Sequence, residues 1–338
     1  MSTTSSSPRK RRTTAWSRGG AALIAALTAA ACGRAPRETL VTYFSGDHAV
    51  SLRHPASWTS DQAERDGVWY RHFLARPAAP GGPAPVSVTL LATATAAPLD
   101  EYARGYLAGH RVASSRDEER EGVAGKSWTF ASADGQTAYR LLLLGASGRV
   151  VGLYSQAEAA AAEAHRALLD EVWTSFTPER PDRYPVTEWK ERGAALGVPR
   201  SWRETRRFAG GETLLVHYAS PALAVDEGGQ SVHASLSLTF EPVPDGGGLA
   251  EYYEAGRRKL GDNFQVASHR AFRGGFVDVM RTETPISVSW VKRYAFAKEG
   301  QGCSLTFEAR DDVFPRVDRW ADFIASTLRF AGAEGPAR

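Results

Sequence analysis

The sequence predicts an α+β protein of two tandem domains, each built of strands and helices in the same order. Three observations predict it. The stretch LRHPASW at residues 52–58 recurs, in the frame L-x-x-P-x-S-W, as LGVPRSW at residues 196–202. Similar strand-like and helix-like segments follow both occurrences in the same order, and each half closes on an amphipathic helix. At 338 residues the chain also exceeds the ~250 residues past which single cores rarely grow.

In the first half, LVTYF at 40–44 and AVSLRHP at 49–55 read as strands, the second alternating apolar and polar residues as a half-buried strand does. GVWYRHFLAR at 67–76 and PVSVTLLAT at 85–93 follow, rich in β-branched and aromatic residues, with PAAPGGPAP between them as a loop. PLDEYARGYLAGH at 98–110 spaces Leu99, Tyr102, Tyr106 and Leu107 as a helix does. GKSWTFASA, TAYRLLLL and RVVGLYSQ are three strands, separated by the turn signals DG at 134–135 and GASG at 145–148. AEAAAAEAHRALLDEVWTSF reads as one long helix with Leu168, Leu169, Val172, Trp173 and Phe176 on one face.

The second half answers in the same order. TLLVHYAS at 213–220 and SVHASLSLTFEP at 231–242 correspond to the second and third strands. GLAEYYEAGRRKLG at 248–261 matches Leu249, Glu251 and Tyr252 to Leu99, Glu101 and Tyr102. RVDRWADFIASTLRF at 316–330 matches Asp322 to Asp170 and Ile324 to Val172. A period near ~145 residues is far longer than a solenoid unit, so each copy is a domain with its own core. The domains are placed at 40–178 and 188–331, with a linker at 179–187 and a tail at 332–338. The joint TPERPDRYPVTEW at 177–189, with prolines and several charges, predicts a stiff, exposed connection.

The start of the chain carries an address. Five basic residues (Arg9, Lys10, Arg11, Arg12, Arg18) and no acidic ones precede Cys32, and an apolar run GGAALIAALTAAAC ends there. That is the layout of an export signal over 1–31, too short for a membrane-spanning helix of ~20 residues. LTAAAC followed by Gly33 resembles the lipobox of bacterial lipoproteins. The resemblance implies a diacylglycerol on Cys32, a tether at 32–39 and attachment to a membrane. It departs from the family pattern at Ala29, where Leu is favoured, which leaves ordinary cleavage after AAA, and an unlipidated exported protein, as the alternative. Setting aside the five early cations leaves 36 basic against 38 acidic residues. Such a near-neutral chain is a poor partner for nucleic acid, which needs a concentrated basic face.

The order of strands, proline–tryptophan corner, short helix, further strands and closing helix ending in WTSFTP at 173–178, with the degenerate ASTLRFA at 325–331, resembles the PsbP/Mog1-type domain. The resemblance covers both copies. It implies, for each domain, an antiparallel β-sheet sandwiched by helices, and binding or assembly-assisting proteins without a shared catalytic site, many of the bacterial members being exported lipoproteins.

Residues with chemistry in reach are few. H-E-x-x-H, paired C-x-x-C, G-x-x-x-x-G-K-[ST] and G-x-S-x-G do not occur. Cys303 sits in an apolar strand-like setting and reads as a buried structural thiol. His54 corresponds to Val198 in the other copy, so chemistry shared by both copies does not rest on it; His72 and His217 occupy comparable strands. RDEEREG at 116–122 reads as a solvated hairpin edge. Trp58, Trp128, Trp173, Trp202, Trp290 and Trp320 are enough aromatics for a carbohydrate site, but several fall at core positions. No catalytic, cofactor or metal residue is assigned; the one site residue is Cys32, for lipid. The expected function is a non-enzymatic, membrane-anchored lipoprotein of the bacterial cell envelope, binding an envelope protein or a small ligand. The alternative is a hydrolase or other enzyme with its site between the domains, marked by convergent polar groups of perturbed pKa.

Overall fold

The two proline corners fold alike. Trp58 N–H donates to the Pro55 carbonyl at 3.1 Å, and Trp202 N–H donates to the Pro199 carbonyl at 3.0 Å. Proline ends each strand because it has no N–H for the ladder, and the turn then drives Trp58 or Trp202 into a core, where both are buried. These are features of a computed structural model that describes residues 38–77, 85–146, 148–261, 263–284 and 287–330. The signal at 1–31, Cys32 with most of its tether, nearly all of the loop PAAPGGPAP and the tail at 332–338 lie outside the described residues.

The first copy runs β1 (Leu40–Ser45), β2 (Val50–Pro55), β3 (Thr59–Arg65), β4 (Val68–Leu74), β5 (Val86–Ala94), α1 (Leu99–Leu107), β6 (Arg111–Arg120), β7 (Val123–Ala131), β8 (Thr137–Ala146), β9 (Arg149–Glu158), α2 (Ala159–Ala164), α3 (Arg166–Ser175) and β10 (Thr177–Pro178). The second runs β11 (Val186–Trp189), β12 (Ala194–Gly197), β13 (Arg203–Gly210), β14 (Thr213–Ala219), β15 (Ala224–Val225), β16 (Ser231–Val232), β17 (Ser235–Pro242), α4 (Leu249–Leu260), β18 (Phe264–Phe272), β19 (Gly275–Thr284), β20 (Ser287–Lys298), β21 (Gln301–Arg310), α5 (Phe314–Ser326) and β22 (Arg329–Phe330). The first large sheet has the order β3-β4-β5-β9-β8-β7-β6 and the second β13-β14-β17-β21-β20-β19-β18. Position for position these are the same seven-stranded antiparallel sheet. The small sheets β1-β2-β10 and β11-β12-β22 match in the same way, and the hairpin β15-β16 has no counterpart among the described residues.

Each large sheet is covered on both faces, which explains the unbroken run Leu141–Leu144. Leu142 and Leu144 pack with Val172, Trp173 and Phe176 at the closing helix. Leu141 and Leu143 point the other way, into a cluster with Ala103 and Leu99 of α1, as the period of two along a strand requires. In the second copy α5 and α4 take these places, with Trp320 and Ile324 on one face and Tyr252 and Tyr253 on the other. The predicted long helix at 157–176 differs from this. Ala157 and Glu158 complete the pairing of β9, and His165, at φ −104° and ψ 12°, separates α2 from α3. Among the described residues no helix is long and apolar enough to cross a membrane.

The hydroxyl in the S-F signature has a mechanical use. Ser175, at the end of α3, accepts from the Arg53 N–H at 2.8 Å. Thr327, just after α5, accepts from the Gly197 N–H at 2.8 Å and donates to the Gly197 carbonyl at 2.9 Å. Arg53 and Gly197 each stand two residues before the corner proline. One hydroxyl thus ties the closing helix to the corner strand in both copies.

The joint 177–189 is not the exposed linker that its composition predicts. Thr177 and Pro178 pair with β2, Pro181–Arg183 form a 3₁₀ turn, and Glu179, Tyr184 and Trp189 are buried. Prolines shorten the turns, and the side chains between them fill the seam between the copies. Phe44 of β1 crosses that seam to join the second copy's core, and the Thr42 N–H donates to the Ala222 carbonyl at 2.6 Å.

Candidate functional site

Where the seam stays open it forms a cleft of about 430 Å³, within the size range of small-molecule sites. Thr42, Ser51 and Arg53 come from the first small sheet, Thr174 and Ser175 from α3, and Glu179, Arg183 and Tyr184 from the joint. The second copy contributes its own corner, Pro199, Arg200 and Ser201. The tip of the β6–β7 hairpin adds Glu121, at a turn where Glu121 and Gly122 have φ of 48° and 73°.

Glu179 is the least expected of these groups. Its carboxyl is 5% exposed and accepts the Tyr184 hydroxyl at 2.7 Å; the Glu179 backbone N–H donates to the Ala49 carbonyl. Burial raises its pKa, and contacts from Ser51, Tyr184 and Trp320 offset that only in part, while Glu121 adds to the rise. A carboxyl so placed favours its neutral form, which donates as well as accepts. Burial also raises the Tyr184 phenol, and the neighbouring Glu179 raises it further. The Thr42 hydroxyl is buried without a partner among the described residues.

Around this floor stands a basic rim. Arg180 is locked to Asp182 through two hydrogen bonds of 2.9 and 2.7 Å. Arg53 meets Glu171 at 3.4 Å, Arg183 meets Asp182 at 3.9 Å, and Arg200 reaches across the seam to Glu121 at 3.9 Å. The last three are exposed and only loosely held.

Of the residues singled out in the sequence, most serve the fold. Cys32 lies outside the described residues. Cys303 is fully buried, and burial pushes its thiol pKa up, the reverse of what a nucleophilic thiol needs. His54 packs on Phe73 at 4.4 Å; burial pushes it down to about 4, against the Pro55 carbonyl, which pulls it up. His72 meets the Thr89 hydroxyl at 2.9 Å and His217 meets the Ser237 hydroxyl at 2.7 Å, a cross-strand pair repeated in both copies. The charged run at 116–120 lies on edge strand β6, with Arg116 paired to Glu118. Trp58, Trp128, Trp173, Trp202 and Trp320 are buried in cores, and Trp290 donates to Asp311, so no aromatic platform forms from them.

A second polar cluster belongs to the second copy alone. His269 Nδ1, the Tyr253 hydroxyl and Asp278 Oδ1 lie within 2.7–2.9 Å of one another. Asp278 is buried; burial and Asp278 push the Tyr253 phenol up to about 12. The cluster pins α4 to strands β18 and β19. Among the described residues no group of three or more His, Cys, Asp or Glu is placed to hold a metal ion.

Glu179, Tyr184, Arg183 and Arg200 are the residues that sequence reasoning missed. The available signal was in the repeat itself: Arg53 and Arg200 occupy letters that the corner motif does not repeat, standing opposite Gly197 and Ala56.

No protein-family model matches the chain. No curated protein matches it either. Solved structures to which it is similar include the PsbP protein of the cyanobacterium Synechocystis sp. PCC 6803, at 10% identity and TM-score 0.33, over 44% of this chain and 96% of that one. The Ran-binding protein Mog1p of Saccharomyces cerevisiae aligns at 10% identity and TM-score 0.31, over 44% of this chain and 100% of that one. LpqN of Mycobacterium tuberculosis, described as involved in cell envelope biogenesis, aligns at 16% identity and TM-score 0.29, over 44% of this chain and 85% of that one. The fold assignment rests on the strand order and register given above.

Proposed function

We propose that the chain is a non-enzymatic binding module, exported and held at a bacterial envelope membrane through lipid on Cys32, that seats a small polar ligand between its two copies. The observation that supports this most is the cleft, lined by both corners and by the bonded pair Glu179 and Tyr184. Sites between domains are where small ligands are commonly held. The test is native mass spectrometry of the full chain purified in detergent, beside Ser201→Trp, which plugs the cleft from an exposed corner. A small molecule retained by the wild type and lost in Ser201→Trp supports the reading; one retained equally by both removes it. A diacylglycerol adduct on Cys32, with release from membranes in Cys32→Ala, tests the anchor.

An enzyme in the same cleft is the second reading, and Glu179 favours it. A buried acid beside Tyr184 in a concave junction is the kind of convergent, pKa-shifted group that acid catalysis uses. Against it, the described lining holds neither His nor Cys, and the Ser175 hydroxyl is engaged with the backbone of Arg53 and Val172. Glu179→Gln separates the two: a binder keeps its ligand, whereas an enzyme loses turnover of it.

A further inference from the structure

We propose that the cleft selects ligands carrying an oxyanion, a phosphate or a carboxylate, and that Arg53 and Arg200, one guanidinium from each copy, bind it. This rests on the cleft reading above and names the ligand class.

Among the described residues four arginines and no lysine line the cleft. A guanidinium presents five donors in a planar fork that matches a phosphate or carboxylate edge, which an ammonium does not. Arg180 is already committed to Asp182 in such a fork. Arg53, Arg183 and Arg200 each touch a carboxylate only at a single long distance, 3.4, 3.9 and 3.9 Å, so most of their donors remain for an incoming anion. The carboxylates facing them are Glu171, Asp182 and Glu121, and the buried Glu179 does not oppose an anion while it is neutral.

The repeat supplies an independent argument. The corner needs its Leu, Pro, Ser and Trp, which both copies keep. It does not need arginine, because Gly197 stands where the first copy has Arg53 and Ala56 stands where the second has Arg200. Two different positions of one motif have each acquired a guanidinium, and both line the same cavity.

The probe is inorganic phosphate, measured by equilibrium dialysis against the full chain carrying Cys32→Ser, so that membrane anchoring does not enter. Saturable phosphate binding that falls by about tenfold or more in the Arg53→Ala/Arg200→Ala double variant is expected, with the thermal midpoint of the ligand-free protein unchanged. Arg53→Lys/Arg200→Lys keeps the charge and is expected to recover only a small part. Absence of saturable binding, or equal binding in the double alanine variant, overturns the proposal. Vesicles of phosphatidylglycerol and of phosphatidylcholine identify the source: preference for the former assigns a lipid headgroup, and free phosphate binding without vesicle binding assigns a soluble anion. Failure of the cleft reading looks different, since phosphate binding then survives Ser201→Trp. A neutral molecule retained by the wild type and lost in Ser201→Trp leaves the cleft standing and removes only the oxyanion.

Discussion

Phe44 of the first copy lies flat on Trp320 of the second, ring centroids 4.6 Å apart and planes within 5°. Both rings are buried, so the core of the second copy is shared by one side chain of the first. Phe44→Ala is expected to cost about 3–5 kcal/mol, as aromatic truncations in cores do, and to split unfolding into two steps by uncoupling the copies. Urea denaturation followed by far-UV circular dichroism and tryptophan fluorescence checks this. A single coincident transition, shifted by less than about 1 kcal/mol, would refute it.

Glu179 makes stability depend on pH in a stated direction. The groups facing its carboxyl are Tyr184, Ser51, Trp320 and Glu121, and burial raises its pKa above the ordinary 4.5. Folded and unfolded chains are both protonated well below that value, so there the group costs nothing. As pH rises, the unfolded chain ionises first, and stability declines until the folded carboxyl ionises too. Glu179→Gln removes this slope, and the variant is expected to gain on the wild type as pH rises from the ordinary 4.5. Parallel urea titrations at increasing pH measure it; parallel pH profiles for the two proteins would count against it.

The repeated ion pair differs in depth between the copies. Arg140 meets Asp170 at 2.6 Å and Lys292 meets Asp322 at 2.8 Å, from equivalent strands and helices. The Arg140 side chain is 28% exposed and that of Lys292 4%. Asp170→Asn is therefore expected to cost under about 1 kcal/mol. Asp322→Asn removes the closest carboxylate from a buried ammonium and is expected to cost about 3 kcal/mol, with the Asp318 carbonyl at 3.2 Å and the Asp318 carboxylate at 3.8 Å as its remaining partners. Denaturation midpoints of the two variants, compared side by side, decide it; equal losses would contradict the account.

Thr327→Val keeps the side chain's shape and removes its hydroxyl. The Gly197 N–H and carbonyl then lose their partner, at a cost of about 1–3 kcal/mol. Amide hydrogen exchange at Gly197 is expected to accelerate. Unchanged protection there would show that the hydroxyl is not what holds the corner.

How much of this could be read beforehand varies by element. The corners and core strands were legible because buried faces impose alternation or apolar runs, as at AVSLRHP and RLLLL. Strands β3 and β13 were not, since every residue in them is exposed and an edge with no buried face has no pattern to read. The charges that hide these edges from the eye also guard them against pairing with another chain. The joint was misread because proline and charge usually mark exposed linkers; only the contact between copies buries Glu179 and Tyr184. The cleft was illegible for the same reason, being assembled from segments as far apart as Thr42 and Ser201. What the sequence did carry was the comparison of its two corners, where the unshared letters Arg53 and Arg200 face the cavity.

The shared core also sets an order on synthesis. A ribosome delivers the first copy before the second, at roughly 5–20 residues per second. For a period on the order of ten seconds, Phe44 has no Trp320 to lie on and the Thr42 amide has no Ala222 carbonyl to meet. The first copy thus emerges with its own clusters complete but Phe44 uncovered, and the second arrives as the piece that covers it.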